Sequence, residues 1–115
     1  VFDYLKAITG YRMTVDSWRR WNGPRINTLQ KALLLLGGPD VVWKPLIDDD
    51  NPPRFYDPLP SGPYKGRTTD RELVDTKLAT YFETQGWDSR GIPTKKTLEK
   101  LGLADVEPSM KKLRK

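Results

Sequence analysis

The sequence predicts an all-α fold, a multihelical orthogonal array with a long proline-rich extended arm between its second and third helical segments. Apolar residues recur at spacings of three and four along several stretches, which is the period of an amphipathic helix. Glycine, proline, threonine and aspartate stand at the positions where such helices would begin and end. Alternation of apolar and polar residues, which is typical of a half-buried strand, is nearly absent. Val41-Val42-Trp43 is the single short candidate for a strand.

The first half of the chain predicts two helical segments. The first covers residues 2–8 and ends at Thr9-Gly10. The second begins at Thr14, whose hydroxyl can cap a helix, and stops at Gly37-Gly38-Pro39. Asn22-Gly23-Pro24 is expected to kink or break this segment, because proline lacks the backbone donor that a helix interior requires. After that point the apolar stripe continues at helical spacing through Ile26, Leu29, Leu33 and Leu36.

The second half predicts a long helix and a short one, joined by a rigid turn. The long helix covers roughly residues 70–85, with Asp70 or Thr69 as its cap. Gly86 can adopt the left-handed conformation that closes it. Pro93 favours an extended residue before it, and Thr94 can cap the short helix at about 94–101. The inward-facing residues of the long helix are expected to be Leu73, Leu78, Tyr81 and Phe82.

Residues 39–69 form a long proline-rich connection between these halves. A structureless loop of this length is unusual within a compact domain, so the segment is either disordered or an arm laid across another surface. Disordered linkers seldom contain many large apolar residues, which favours the arm. The candidate residues for packing against another part of a larger protein are Trp43, Phe55, Tyr56, Tyr64 and Trp87.

Composition excludes several kinds of chemistry. The 115 residues include no cysteine and no histidine, which removes disulfides, thiolate ligands and histidine-based acid–base catalysis. No carboxylate pair stands out in an apolar setting, and no catalytic, cofactor-binding or metal-binding residue is predicted. The run Asp48-Asp49-Asp50 lacks the alternating ligands of a calcium loop and is interpreted as a solvated acidic turn. No apolar run approaches the length of a membrane span, and no signal peptide opens the chain. We expect a cytoplasmic protein.

The formal net charge is +5, and a basic tail at residues 104–115 contributes +2 of it, with four Lys or Arg residues against two Asp or Glu residues. A basic tail can bind nucleic acid or an acidic protein partner, so a stand-alone basic helical binding module is the alternative function. Against nucleic acid, residues 1–103 carry a net charge of only +3 and show no basic helix face. Because the chain begins in what reads as the middle of a helix, we expect it to be part of a longer polypeptide.

Four stretches together resemble the C-terminal portion of the aldehyde:ferredoxin oxidoreductase family. The resemblance covers residues 1–103, and the order and spacing of the stretches carry it rather than any single motif. One departure is Leu33-Leu34-Leu35-Leu36, where the family often has polar residues. The stretches are Ala7-Ile8-Thr9-Gly10 with Thr14-Val15, then Arg25-Ile26-Asn27-Thr28-Leu29-Gln30-Lys31, then Pro52-Pro53-Arg54-Phe55 with Pro58-Leu59-Pro60-Ser61-Gly62-Pro63 and Lys65-Gly66, and finally Tyr81-Phe82, Gly86-Trp87-Asp88, Gly91-Ile92-Pro93-Thr94 and residues 98–103.

The resemblance implies a parent enzyme with a tungstopterin and a [4Fe-4S] cluster, which oxidises aldehydes to carboxylic acids and passes electrons to ferredoxin. It also implies that the cofactor ligands lie upstream, outside the matched region. Residues 1–103 would then be a C-terminal helical domain that packs on the upstream domains, helps to shield the cofactors and is inactive when isolated. The absence of cysteine agrees with this, because an iron–sulfur cluster is held by cysteine thiolates.

Overall fold

The computed structural model describes all 115 residues, Val1–Lys115, as helices and turns without a β-sheet. The predicted all-α fold class is therefore confirmed. The first half contains α1 (Phe2–Thr9), α2 (Val15–Ser17), a π-helical turn (Trp18–Asn22) and α3 (Gly23–Leu36). The second half contains a 3-10 turn (Pro53–Tyr56), α4 (Arg71–Gln85), α5 (Lys95–Lys100), a second 3-10 turn (Ala104–Val106) and α6 (Glu107–Leu113).

The helix boundaries follow the predicted caps closely. Gly10 ends α1 in the left-handed conformation, with φ of 72°. Thr14 caps α2: its hydroxyl accepts a hydrogen bond from the Ser17 N–H at 3.0 Å, and the Ser17 hydroxyl accepts one from the Thr14 N–H at 2.9 Å. This reciprocal capping box satisfies two backbone donors that a helix start otherwise leaves unpaired. Asp70 caps α4 without such reciprocity: one oxygen of its carboxylate accepts hydrogen bonds from the Glu72 N–H at 2.9 Å and the Leu73 N–H at 3.3 Å.

The predicted break at residues 22–24 takes the form of a π-helical turn, and the helix continues beyond it. The Gly23 N–H bonds to the carbonyl of Trp18, five residues back. Pro24 lies in the first turn of α3 and has no N–H to donate to the carbonyl four residues earlier. Widening the preceding turn makes room for the proline ring and keeps the other backbone donors bonded.

The connection between α3 and α4 is a chain of turns, and an extended arm is not confirmed. Its start is held to α3 by a hydrogen bond from the Trp43 N–H to the Leu34 carbonyl at 3.1 Å. Val41 and Val42 form no strand. Further along, Leu59 donates its N–H to Arg67 at 2.9 Å and accepts from the Gly66 N–H at 2.9 Å, which closes a loop. The segment therefore folds locally at both ends.

A small core lies where α3 meets the C-terminal third of the chain. Its seven buried residues are Ala32, Leu35, Ile92, Leu98, Leu101, Leu103 and Met110. Met110 lies on α6, within the stretch predicted as a basic tail, and is fully buried. Residues 104–115 therefore pack into the same core as the helices before them, because α6 presents one apolar side chain inward.

One face prediction for α4 is wrong in part. Phe82 is buried, as predicted, and Leu78 is half-buried. Leu73 and Tyr81 were also expected to face inward, but they are 52% and 45% exposed. Tyr81 is covered in part by the rings of Phe82 and Trp87, with centroids 6.2 Å and 5.7 Å away, whereas Leu73 in the first turn of α4 lies on an exposed side of the helix.

Candidate interdomain packing surface

The connection between α3 and α4 is fastened to the core by a buried ion pair. Lys31 of α3 bonds through its ammonium to the Asp49 carboxylate, and the two side chains are only 6% and 10% exposed. The Lys31 Nζ also lies 5.6 Å from the ring centroids of Trp43, Phe82 and Trp87. Aromatic faces attract a cation, and they do so more strongly where water is excluded. We call the group formed by Lys31, Asp49, Trp43, Phe82 and Trp87 the Lys31 box.

Trp87, one of the five residues predicted to pack between domains, belongs to this internal box. It is 8% exposed, and its indole N–H donates to the Thr28 hydroxyl at 3.3 Å. Its ring meets Tyr81 edge-on, with centroids 5.7 Å apart. Its packing surface is therefore used largely within this chain. Trp43, a second of the five, is half-buried against the core.

The turn that follows Trp87 is as rigid as the sequence predicts. One carboxylate oxygen of Asp88 accepts hydrogen bonds from the backbone N–H groups of Arg90 and Ile92, both at 2.9 Å. Gly91 has a φ of +73°, and a Cβ built on it would lie 2.7 Å from the Phe82 ring. Only glycine meets both demands without strain. The turn thus fixes α5 against the end of α4.

The acidic run at residues 48–50 lies in a turn, and Asp48 is exposed as the sequence predicts, but Asp49 and Asp50 are half-buried and each carboxylate has a partner. Asp48 accepts a hydrogen bond from the Lys44 N–H at 2.6 Å, and Asp49 lies in the Lys31 box. Asp50 accepts from the Tyr56 hydroxyl at 2.7 Å and pairs with Arg71 at 2.8 Å. The Tyr56 hydrogen bond, together with Arg71, holds the pKa of Asp50 below its ordinary value.

The remaining predicted packing residues lie at or near the surface of the connection. Tyr56 is half-buried, with the Arg71 guanidinium 4.6 Å from the centre of its ring. Phe55 is 49% exposed, and Tyr64 is 60% exposed. The structure therefore brings Trp43 and Trp87 together around Lys31 and leaves Phe55 and Tyr64 as outward-facing aromatic residues.

A second apolar surface lies along α3 and was not among the predicted packing residues. The stripe Ile26, Leu29, Leu33 and Leu36 is between 36% and 60% exposed, whereas the buried face of α3 consists of Thr28, Lys31, Ala32 and Leu35. We call the stripe the α3 seam. The helical spacing of these four residues was visible in the sequence. Spacing alone, however, does not tell which side of a helix faces the core of its own chain.

Much of the chain's apolar surface is uncovered. Only 13 of 115 residues are buried, and none of them precedes Thr28. The radius of gyration is 18.2 Å, against about 13 Å for a compact domain of this length. Large exposed apolar patches on a protein mark contacts with a partner. The N-terminal helices and the α3 seam therefore have the character of surfaces that another body covers.

The chain offers no donor set for an iron–sulfur cluster or a metal ion. Cysteine thiolates, which hold such clusters, are absent from the sequence. No three acidic residues converge in a way that could hold a metal. The residues of this chain therefore do not fit the metal-binding groups that the family resemblance implies for the parent enzyme. In addition, none of the helices combines the length and apolar character needed to cross a bilayer.

Comparisons with known proteins agree with the resemblance seen in the sequence. The family model described as aldehyde ferredoxin oxidoreductase, domains 2 and 3, matches residues 1–103. The chain is also similar to a protein of Pyrococcus furiosus described as an aliphatic sulfonate oxidoreductase, WOR-like subunit. The two are 46% identical over 115 residues, which is all of this chain and 18% of that relative. The chain thus spans less than a fifth of the length of the relative it matches.

Proposed function

Because the chain belongs to the aldehyde ferredoxin oxidoreductase family, we propose that it is the C-terminal structural domain of a larger tungstopterin, iron–sulfur oxidoreductase. The observation that carries this proposal is the mismatch between its small core and its large apolar surface. Only 13 residues are buried, whereas 21 large apolar side chains remain exposed. A domain that folded for life on its own in water would bury more of these side chains. A domain built to pack on the rest of an enzyme has this character, and the share of the relative that the chain matches agrees.

The domain's task in this proposal is to cover and position, because it has no reactive group of its own. The proposed reaction adds the oxygen of water to an aldehyde, giving a carboxylic acid, two protons and two electrons. The cofactors of the parent enzyme would supply the redox chemistry, and ferredoxin would accept the two electrons. The residues of this chain contribute a helical wall that excludes water from the neighbouring domains.

Phe55 and Tyr64 are the proposed packing residues on the connection, with Trp43, Tyr56 and Trp87 holding that connection in place. Oxidative footprinting of the intact parent enzyme tests this role. If the proposal is right, Phe55 and Tyr64 are oxidised much more slowly in the native enzyme than in the same enzyme unfolded in denaturant. Equal oxidation rates in the two states would contradict it.

Ferredoxin is proposed as the acceptor, and an exposed basic surface supports an acidic protein partner. Residues 95–115 contain seven Lys or Arg residues and three Asp or Glu residues. Arg114 is engaged with Glu107 at 2.6 Å, and the six lysines of this stretch are exposed. Complementary charge raises association rates, and salt weakens the effect. The rate of electron transfer to ferredoxin should fall as salt rises, and a salt-independent rate would contradict this role.

A second substrate class follows from the relative's description, which names aliphatic sulfonates. The purified parent enzyme should therefore be assayed with a series of aldehydes and, in parallel, with short aliphatic sulfonates, using one artificial electron acceptor for both. Faster reduction of the acceptor with aldehydes supports the proposed activity. Reduction with sulfonates alone would move the proposal to that class while leaving the structural role of the chain unchanged.

A further inference from the structure

The α3 seam has the spacing of a helix–helix contact. Ile26, Leu29, Leu33 and Leu36 follow one another at intervals of three, four and three residues. This is the repeat with which one helix packs its side chains between those of a second helix lying almost parallel to it. All four side chains are at least 36% exposed, so no helix of this chain occupies that position. The seam is therefore half of a contact whose other half lies outside residues 1–115.

We infer that the α3 seam is covered by an amphipathic helix from the part of the parent polypeptide outside this chain. This inference rests on the proposed function, because it requires a parent enzyme longer than the chain. The share of the relative that remains unmatched, more than four-fifths of its length, is ample to supply such a helix. A shallow groove of about 770 Å³ beside the seam, lined in part by Leu33, Leu34 and Val41, gives that helix an edge to pack against.

A second copy of the chain is the less favoured occupant. The apolar pattern that indicates a self-associating coiled coil continues over three or four heptads, and α3 has only 14 residues. They also use charged residues beside the seam to select a partner. The positions that flank the seam are Arg25, Gln30 and Ala32, and Arg25 already donates to the Leu101 carbonyl at 3.1 Å. A helix of the same polypeptide needs neither length nor charge selection, because its effective concentration is already high.

Site-specific photocrosslinking in the full-length parent enzyme tests the inference. The photoreactive residue p-benzoylphenylalanine is placed at Leu33, which is 60% exposed and makes the smallest demand on the local fold. The matched control places it at Asn27, which is exposed on the same helix and lies about 120° around its axis from Leu33. After irradiation, the crosslinked peptide is identified by mass spectrometry, and the chain mass is read under denaturing conditions.

The inference predicts a crosslink from Leu33 to a peptide outside residues 1–115 with no change in chain mass, and no such crosslink from Asn27. A doubled chain mass, with Leu33 joined to the same helix of another copy, would overturn it in favour of self-association. Failure to crosslink in a metal-containing enzyme of full length would overturn this inference while leaving the proposed function standing. A native chain of only 13.2 kDa would overturn both.

Footprinting of the unsubstituted enzyme provides a second measurement that does not depend on how a variant folds. The inference predicts that the four side chains of the seam are oxidised roughly tenfold more slowly in the native enzyme than after unfolding, because packed helix contacts exclude solvent. Oxidation rates within a factor of about two of those in the unfolded enzyme would mean that the four side chains stay as exposed as they are in this chain alone, and would overturn the inference.

Discussion

Removing the Asp49 carboxylate should destabilise the attachment of the connection to α3 far more than removing both members of the ion pair. In Asp49→Ala, the Lys31 ammonium stays in a site that is 6% exposed and loses its only carboxylate partner. Breaking a buried pair in this manner costs about 3 to 5 kcal/mol. The three aromatic rings at 5.6 Å face the cation both before and after the substitution, so the ammonium is not left without any partner and the loss lies near the lower end of that range. We therefore expect a net loss of about 3 kcal/mol.

The double variant Lys31→Met/Asp49→Ala should recover most of this loss. Methionine nearly fills the volume of the lysine stem among the rings of Trp43, Phe82 and Trp87, and no charge remains to be solvated. Replacing a buried ion pair by apolar residues is often neutral or stabilising. The single variant Lys31→Met should lie between the two, because Asp49 is left without a cation but has a side chain 10% exposed to water.

Native-state hydrogen exchange in the parent enzyme measures the effect locally, because amides of the Lys31 box exchange through opening of that region. A loss of about 3 kcal/mol speeds the exchange of these amides roughly 100-fold, at about 1.4 kcal/mol for each factor of ten. Amides of α1 serve as the internal control, since α1 contributes no buried residue to this chain. The reasoning is refuted if Asp49→Ala and the double variant exchange equally fast, or if Asp49→Ala changes the rate less than about threefold.

Two further predictions concern local geometry and pH. Gly91→Ala should cost roughly 2 to 5 kcal/mol of stability, because it adds left-handed strain and a clash with Phe82. The control Gly10→Ala has a similar φ but open space around it, and should cost only about 1 to 2 kcal/mol. Equal changes in the exchange rates of the neighbouring amides in the two variants would contradict the clash. Asp50 has a folded-state pKa below its unfolded value of 3.8, so its stabilisation is present above pH 3.8 and is lost as pH falls through the lowered pKa. Tyr56→Phe removes the largest cause of that lowering, and a pH titration of stability that is unchanged by this substitution would contradict the assignment.

Local sequence signals predicted the helix ends well. The hydroxyl of Thr14, the carboxylate of Asp70 and the hydroxyl of Thr94 cap their helices as predicted, and Gly86 closes α4 with a φ of 72°. Each of these features depends only on residues within one turn of the helix end. Such short-range chemistry can be read from the chain without knowledge of the fold.

Features that depend on distant residues could not be predicted in this way. Lysine side chains are mostly exposed in proteins, yet Lys31 is buried because Asp49 and three aromatic side chains, two of them more than 50 residues away, surround it. The α3 seam stays exposed because a different side of α3, the side that includes Lys31, faces the core. Periodicity showed that α3 has an apolar side, but the choice of buried side depends on partners that the sequence does not place.

We propose above that the chain is one domain of a tungsten and iron–sulfur enzyme. The most direct test isolates the native polypeptide that contains residues 91–96, identified by the peptide GIPTKK, and measures its intact mass with its tungsten and iron content. The account predicts a mass several times the 13.2 kDa of this chain, together with tungsten and about four irons per polypeptide. A native polypeptide of 13.2 kDa that contains neither metal would contradict it.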